Sequence, residues 1–105
     1  MAREVSIDEL EIAISQGAYV IDVREAWEFE SGHVPRAHHF ALNSVPEHLN
    51  DLPKHQQIFV ICQSGGRSMT AANYLEANGF NVVSAAGGTG SWIGAGKEVS
   101  FEASL

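Results

Sequence analysis

The residue with the clearest chemical potential is the chain's single cysteine, Cys62. It follows an apolar, β-rich run at 58–61 and precedes a short polar loop that leads into a helical pattern. The loop consists of Gln63, Ser64, Gly65, Gly66, Arg67 and Ser68. A strand, a tight loop and a helix in this order direct backbone N–H groups towards one point, where an anion is stabilised. We expect the Cys62 sulfur at that point.

A thiol reacts as its thiolate, and its pKa falls near a helix N-terminus or a cation. We expect Cys62 to have both, from the dipole of the following helix and from Arg67. Gly65 and Gly66 can adopt positive φ, which lets successive N–H groups curl around the sulfur. The guanidinium of Arg67 offers a planar fork of donors suited to an oxyanion. The loop therefore predicts an activated nucleophile that holds its product as a covalent adduct.

A simpler interpretation exists for each of these two residues. Cys62 could be an inert, buried cysteine at the end of a strand, a common location for free cysteines. Arg67 could be a surface arginine at a helix start. A cation there opposes the helix dipole, however, so Arg67 requires a nearby anion.

The elements that must position this loop alternate between strand and helix patterns. Strands are predicted near 19–23, 37–40, 57–61 and 81–84. Helices are predicted after the capping box of Ser6 and Glu9, at 25–31, from Ser44 to about Asn50, and at 67–77. A loop is predicted at 87–90. This order predicts one α/β domain over 1–105, with a mainly parallel central sheet of about five strands and helices on both faces. Val99 and Phe101 alternate with polar residues and are compatible with a further edge strand.

Composition limits the classes of function. The 105 residues include 6 Lys and Arg against 13 Asp and Glu, a formal charge of −7. Such a chain lacks the basic surface that nucleic-acid binding needs, and it repels small anions at long range. One cysteine forms no internal disulfide, and neither a signal peptide nor an apolar run of about 18 residues is visible. We therefore expect no membrane association and a cytoplasmic location.

Four segments resemble the rhodanese family, specifically its single-domain sulfurtransferases. D-V-R-E at 22–25 is similar to a motif that follows an early strand of the family, and Glu28 with G-H-V at 32–34 is similar to E-x-x-x-G-H-[IV]. C-Q-S-G-G-R-S at 62–68 resembles the active-site loop C-x-x-G-x-R-S. Gly87 and Gly88 with Trp92 resemble G-G-x-x-x-W. Together, these segments extend over most of the chain.

The resemblance implies that Cys62 accepts a sulfane sulfur from a donor such as thiosulfate and forms a persulfide. The sulfur then passes to cyanide, a thiol or a protein acceptor, without a metal or other cofactor. Arg67 would bind or orient the donor. Asp22 and Arg24 would support the loop, although an ordinary ion pair at the end of a strand explains them equally well.

Three alternatives are open. Phosphatases and arsenate reductases of this fold place five residues between cysteine and arginine, whereas only four separate Cys62 from Arg67, so the shorter loop favours a single sulfur over a phosphoryl group. A sulfur-relay carrier would exchange sulfur with a protein, docking at the edge formed by Gln63 and Ser64. A non-catalytic interaction module of the same fold is the third, although such modules commonly lack the cysteine.

Other residues are interpreted as structural. His38 and His39 depart from the usual family pattern, and adjacent strand residues point to opposite sides, so at most one could face the site. Without spaced ligands nearby, a metal site is not predicted. His33 is expected to support local structure, and Trp27 and Trp92 are expected in the core.

Overall fold

A computed structural model of the protein describes residues 1–103 and has one sheet of five parallel strands. The strands are β1 (Arg3–Val5), β2 (Tyr19–Asp22), β3 (His38–His39), β4 (Ile58–Ile61) and β5 (Val82–Ala85). Their order across the sheet is β1-β5-β4-β2-β3. The helices are α1 (Ile7–Ser15), α2 (Ala26–Glu30), α3 (Gly66–Ala77) and α4 (Gly88–Gly94), with a 3-10 helix at Leu42–Asp51. The predicted α/β class with a parallel sheet is confirmed.

Both faces of the sheet are covered, because alternate residues of the central strand β4 belong to different apolar clusters. Ile58 and Val60 pack with α3, whereas Phe59 and Ile61 pack with α1, α2 and α4. All four β4 side chains are buried. This two-sided burial explains why the β4 sequence is continuously apolar instead of alternating.

The fifth strand differs from the prediction. It is β1, which pairs with β5 in the register Arg3↔Val83, and not the C-terminal segment around Val99 and Phe101. There, Ser100 forms only an isolated antiparallel bridge with His33. β1 has three residues and two charged side chains, so no run of apolar residues indicated it.

Helix starts follow the predicted capping chemistry in α1. The Ser6 hydroxyl accepts the Glu9 N–H at 3.0 Å, and the Glu9 carboxylate accepts the Ser6 N–H at 3.0 Å. The predicted loop at 87–90 is wrong in part, since α4 already begins at Gly88. A turn or short helix is predicted only from Ser91, because the glycines at the start of α4 have low helix propensity.

The two tryptophans lie in different environments. Trp92 is 3% exposed, as predicted, but Trp27 is 71% exposed, and its predicted place in the core is wrong. Successive helical residues are about 100° apart, so Trp27 and Phe29 point in nearly opposite directions from α2. Phe29 takes the inward position and is buried. Within residues 1–103, no helix has the length and apolar character needed to cross a bilayer.

Candidate active site

The site lies at the carboxyl ends of β2 and β4, which are neighbours in the sheet. Asp22 pairs in register with Ile61, so the residues that follow these two positions meet at one edge. The backbone N–H of Val23 donates to the carbonyl of Ile61 at 3.0 Å. The topology thus brings Arg24 and Cys62, 38 positions apart in the chain, to one place.

The sulfur of Cys62 is surrounded by hydrogen-bond donors. The Gly65 N–H donates to Sγ at 3.1 Å, and the Ser68 hydroxyl oxygen lies 3.5 Å from it. Burial by itself raises the pKa of the thiol, but hydrogen bonds from the Ser68 hydroxyl and from the N–H groups of Ser68, Gly65 and Ser64 outweigh it, so the pKa lies below its ordinary value. The arrangement favours a thiolate.

Ser68 has one hydroxyl proton and three neighbours for it. Its oxygen lies 3.1 Å from the Gly65 carbonyl, 2.8 Å from the Ser84 hydroxyl on β5 and 3.5 Å from the Cys62 sulfur. When Cys62 is a thiol, Ser68 can donate to the carbonyl; when Cys62 is a thiolate, the same proton can turn to the sulfur. Ser84 then satisfies the Ser68 oxygen in either state.

The loop backbone adopts the conformation that this cluster needs. Gly65 precedes α3 with φ +117°, a region that residues other than glycine rarely adopt. Gly66 does not have the positive φ that the sequence allowed, because it is already the first residue of α3. One left-handed residue therefore turns the chain from the strand into the helix.

The start of α4 fixes the peptide backbone behind the sulfur. The N–H and hydroxyl of Thr89 both donate to the Cys62 carbonyl, at 2.8 and 3.0 Å, and the Gly90 N–H donates to the Gln63 carbonyl at 3.0 Å. The two N–H donors belong to the first turn of α4, where backbone N–H groups have no partner within the helix. The approach is so close that a Cβ on Gly88, whose φ is +59°, would lie 2.5 Å from the Cys62 carbonyl oxygen.

Asp22 and Arg24 form a buried ion pair that reaches the loop. The Nη2 atom of Arg24 lies 2.9 Å from Asp22 Oδ2, and their side chains are 3% and 0% exposed. Arg24 also donates to the Gln63 side-chain oxygen at 3.2 Å and to the Gly32 carbonyl at 2.9 Å. Arg24 thus contacts the loop directly, and Asp22 is connected to it through Arg24.

Arg67 differs most from its expected arrangement. Its two Nη atoms donate to the two carboxylate oxygens of Glu28, at 2.7 and 2.9 Å. The hydrogen bond from Arg67 lowers the pKa of Glu28 to about 2. From the sequence, we expect the charge of Arg67 to lower the pKa of Cys62. The main causes of the lowered pKa are instead the hydrogen bonds described above.

The histidines have contacts of a structural kind. His33 is buried, stacks on Phe29 with ring centroids 3.6 Å apart, and has its Nδ1 atom 2.8 Å from the Phe29 carbonyl. The Nε2 atom of His39 lies 2.7 Å from the Arg24 carbonyl, and His38 stacks on Tyr19. Within residues 1–103, no group of three or more His, Cys, Asp and Glu side chains is arranged to hold a metal ion.

This geometry agrees with the comparison to known proteins. A sequence model of the rhodanese-like domain matches residues 6–95. The chain belongs to the rhodanese-like family. It is 37% identical over 94 residues to the "Putative sulfurtransferase YtwF" of Bacillus subtilis (strain 168), covering 88% of this chain and 91% of that protein. It is 31% identical over 91 residues to the "Thiosulfate sulfurtransferase GlpE" of Pseudomonas syringae pv. syringae (strain B728a), covering 86% of each.

The structural comparison extends the family assignment to the fold. A crystal structure of a rhodanese-related protein from Thermoplasma volcanium superimposes with a TM-score of 0.90 at 31% identity, covering 95% of this chain and 99% of that one. This rhodanese-like chain is thus related to sulfurtransferases over most of its length, which supports sulfur transfer as its general chemistry.

Three residues of the site were not predicted as functional: Glu28, Ser84 and Thr89. The sequence contained a signal for Glu28: Arg67, a cation at a helix N-terminus, requires an anion, and Glu28 belongs to the segment that resembles E-x-x-x-G-H-[IV]. Ser84 and Thr89 had none, since their role depends on tertiary contacts with Ser68 and with the Cys62 carbonyl.

Proposed function

We propose that this rhodanese-like protein is a sulfurtransferase that carries sulfane sulfur on Cys62. The thiolate attacks the outer sulfur of a donor such as thiosulfate, the S–S bond of the donor breaks, and sulfite leaves with the bonding electron pair. The resulting persulfide is then attacked at its terminal sulfur by cyanide, a thiol or a protein acceptor, and the Cys62 thiolate is released. Atoms and charge balance in both steps, and neither step needs a cofactor.

The observation that carries this proposal is the set of donors around the Cys62 sulfur. The N–H of Gly65 at 3.1 Å and the hydroxyl of Ser68 at 3.5 Å stabilise the thiolate before attack. The Ser64 N–H also contributes to the lowered pKa of Cys62, and we expect it to stabilise the negative terminal sulfur of the persulfide. Only four residues separate Cys62 from Arg67, and a ring of this size favours one extra sulfur over a phosphoryl group.

The fixed backbone supports the same chemistry. Arg24 contacts Gln63, and Thr89 holds the Cys62 carbonyl, so the loop needs little rearrangement between its thiolate and persulfide states. A preorganised set of donors stabilises charge without a reorganisation cost during the reaction. Arg67, which the family resemblance implies as the residue that orients the donor, could bind an anionic donor along the edge that Glu28 occupies only if Glu28 released it.

Intact-mass spectrometry after incubation with thiosulfate tests the proposal. We expect one added sulfur, about 32 Da, which dithiothreitol removes, as the chemistry of a reactive thiolate requires. Cys62→Ser is the control, because it removes the only cysteine and must show no gain. No gain in mass of the wild-type protein, together with no thiocyanate formed from thiosulfate and cyanide, would refute thiosulfate as the donor.

The Glu28–Arg67 pair favours a second candidate within the same chemistry. The donor face of Arg67 is occupied, and Gln63 and Ser64 are exposed beside the sulfur, as a sulfur-relay carrier with protein partners would need. Persulfide loading from a cysteine desulfurase but not from thiosulfate would identify this carrier role. A Cys62 pKa at or above about 8.5 in a titration would instead favour a non-catalytic module.

A further inference from the structure

The guanidinium of Arg67 is already saturated along one edge by a carboxylate. Both Nη atoms donate to Glu28, at 2.7 and 2.9 Å, which is the bidentate geometry by which arginine binds oxyanions. A carboxylate and an incoming oxyanion cannot occupy the same edge together. An anionic donor must therefore displace Glu28 or approach Arg67 from another side.

Glu28 is also held by the backbone at the start of its own helix. Its Oε1 atom accepts the Glu25 N–H at 3.0 Å and so caps α2, and its side chain is only 12% exposed. With a pKa of about 2 it is ionised at neutral pH. At neutral pH, the ionised Glu28 and Arg67 side chains thus form a pair with nearly no net charge.

The acidic residues around the site also disfavour the binding of small anions. Glu25, the residue before α2, and Glu30, its last residue, are both exposed, and the formal net charge of the chain is −7. An exposed negative surface lowers the local concentration of small anions. With Arg67 neutralised, little positive charge is left at the entrance to counter that repulsion.

We propose that Glu28 is a specificity-determining residue that withholds Arg67 from small oxyanions. Building on the proposed sulfurtransferase function, the site then favours sulfur carried by a group less negatively charged than thiosulfate, such as a persulfide on a protein. Glu28 acts through Arg67 and is a positioning residue for charge selection. It does not touch the sulfur.

Two alkylating reagents of like chemistry and different charge test this directly. Iodoacetate and iodoacetamide both alkylate a thiolate with loss of iodide, and Cys62 is the only thiol. We therefore use the rate constant for iodoacetate divided by the rate constant for iodoacetamide. This ratio does not depend on the fraction of Cys62 that is ionised, and it depends little on steric access to the sulfur. In Glu28→Gln we expect this ratio to rise about tenfold, which corresponds to 1.4 kcal/mol and to one charge-assisted hydrogen bond gained by the reagent's carboxylate.

Two further variants separate the bond to Arg67 from simple loss of charge. Glu30→Gln removes the same charge from the same helix at an exposed position, and its ratio should stay within about twofold of wild type. Combining Glu28→Gln with Arg67→Met should abolish the tenfold rise. An unchanged ratio in Glu28→Gln, or an equal rise in Glu30→Gln, would overturn the proposal.

The wild-type protein provides a measurement that does not depend on how the variants fold. Its ratio should be no higher than that of free cysteine, because Arg67 is occupied. A clear preference for iodoacetate in the wild type would overturn the proposal. The alkylation does not require sulfur transfer, so a failed thiosulfate assay and a failed charge-selection test are separate results.

Discussion

The contact between α4 and the backbone of Cys62 gives the most quantitative prediction of this structure. In Gly88→Ala, the new Cβ would lie 2.5 Å from the Cys62 carbonyl oxygen and 2.7 Å from the Gln63 carbonyl carbon. All of these neighbours are backbone atoms, so no side chain can rotate away. Either α4 or the loop that holds Cys62 must move.

Two contributions determine the loss of stability. A left-handed conformation such as that of Gly88, with φ +59°, costs a residue with a Cβ about 1–2 kcal/mol. Displacing closely packed groups costs about 1–3 kcal/mol more. The free energy of unfolding should therefore fall by about 2–5 kcal/mol out of a typical 5–15 kcal/mol, which lowers the melting temperature by roughly 10–20 °C.

Thermal and urea denaturation of Gly88→Ala measure this loss, and Gly94→Ala is the matched control. Gly94 belongs to the same helix and has no positive φ, and a Cβ added there would meet no neighbouring atom of residues 1–103 within 4 Å. Its substitution should change stability by no more than about 1 kcal/mol. If the two variants unfold within about 0.5 kcal/mol of each other, a difference at the limit of additivity between independent sites, the argument from close contact is wrong.

Two further predictions concern the sulfur and its support. Ser68→Ala removes a hydrogen bond to the Cys62 thiolate and should slow alkylation by iodoacetamide at pH 7 roughly tenfold. The pH at which alkylation reaches half its maximal rate should also rise, because Ser68 helps to lower the pKa of the wild-type thiol. An unchanged midpoint would contradict this. Asp22→Asn leaves the buried charge of Arg24 without its counterion and should cost about 3–5 kcal/mol in urea unfolding. The exposed Asp51→Asn should cost less than about 1 kcal/mol, and equal losses would refute the distinction.

The sequence was most informative where chemistry and local pattern agree. The apolar run before Cys62 and the small residues after it predicted the strand, loop and helix in order, and the Ser6 capping box predicted the start of α1. The strand, loop and helix pattern predicts Cys62 as the central residue of the site, and the family resemblance implies the same. These features depend on neighbours close in the chain, which a sequence displays directly.

The features that the sequence did not reveal depend on distant contacts. β1 is stabilised by pairing with β5, some 80 residues away, and α4 forms despite its glycines because its first turn binds the Cys62 and Gln63 carbonyls. The partner of Arg67 lies 39 positions earlier in the chain. Sequence reasoning required an anion for Arg67, but only the fold identified it as Glu28.

The opposite environments of the two tryptophans provide an optical probe of docking. Trp27 is 71% exposed and precedes Glu28, the residue that holds Arg67, whereas Trp92 is 3% exposed. A soluble quencher such as acrylamide should therefore extinguish the emission of Trp27 and largely spare that of Trp92. A protein that delivers sulfur to Cys62 across α2 would shield Trp27, so intrinsic fluorescence can follow its binding without a label.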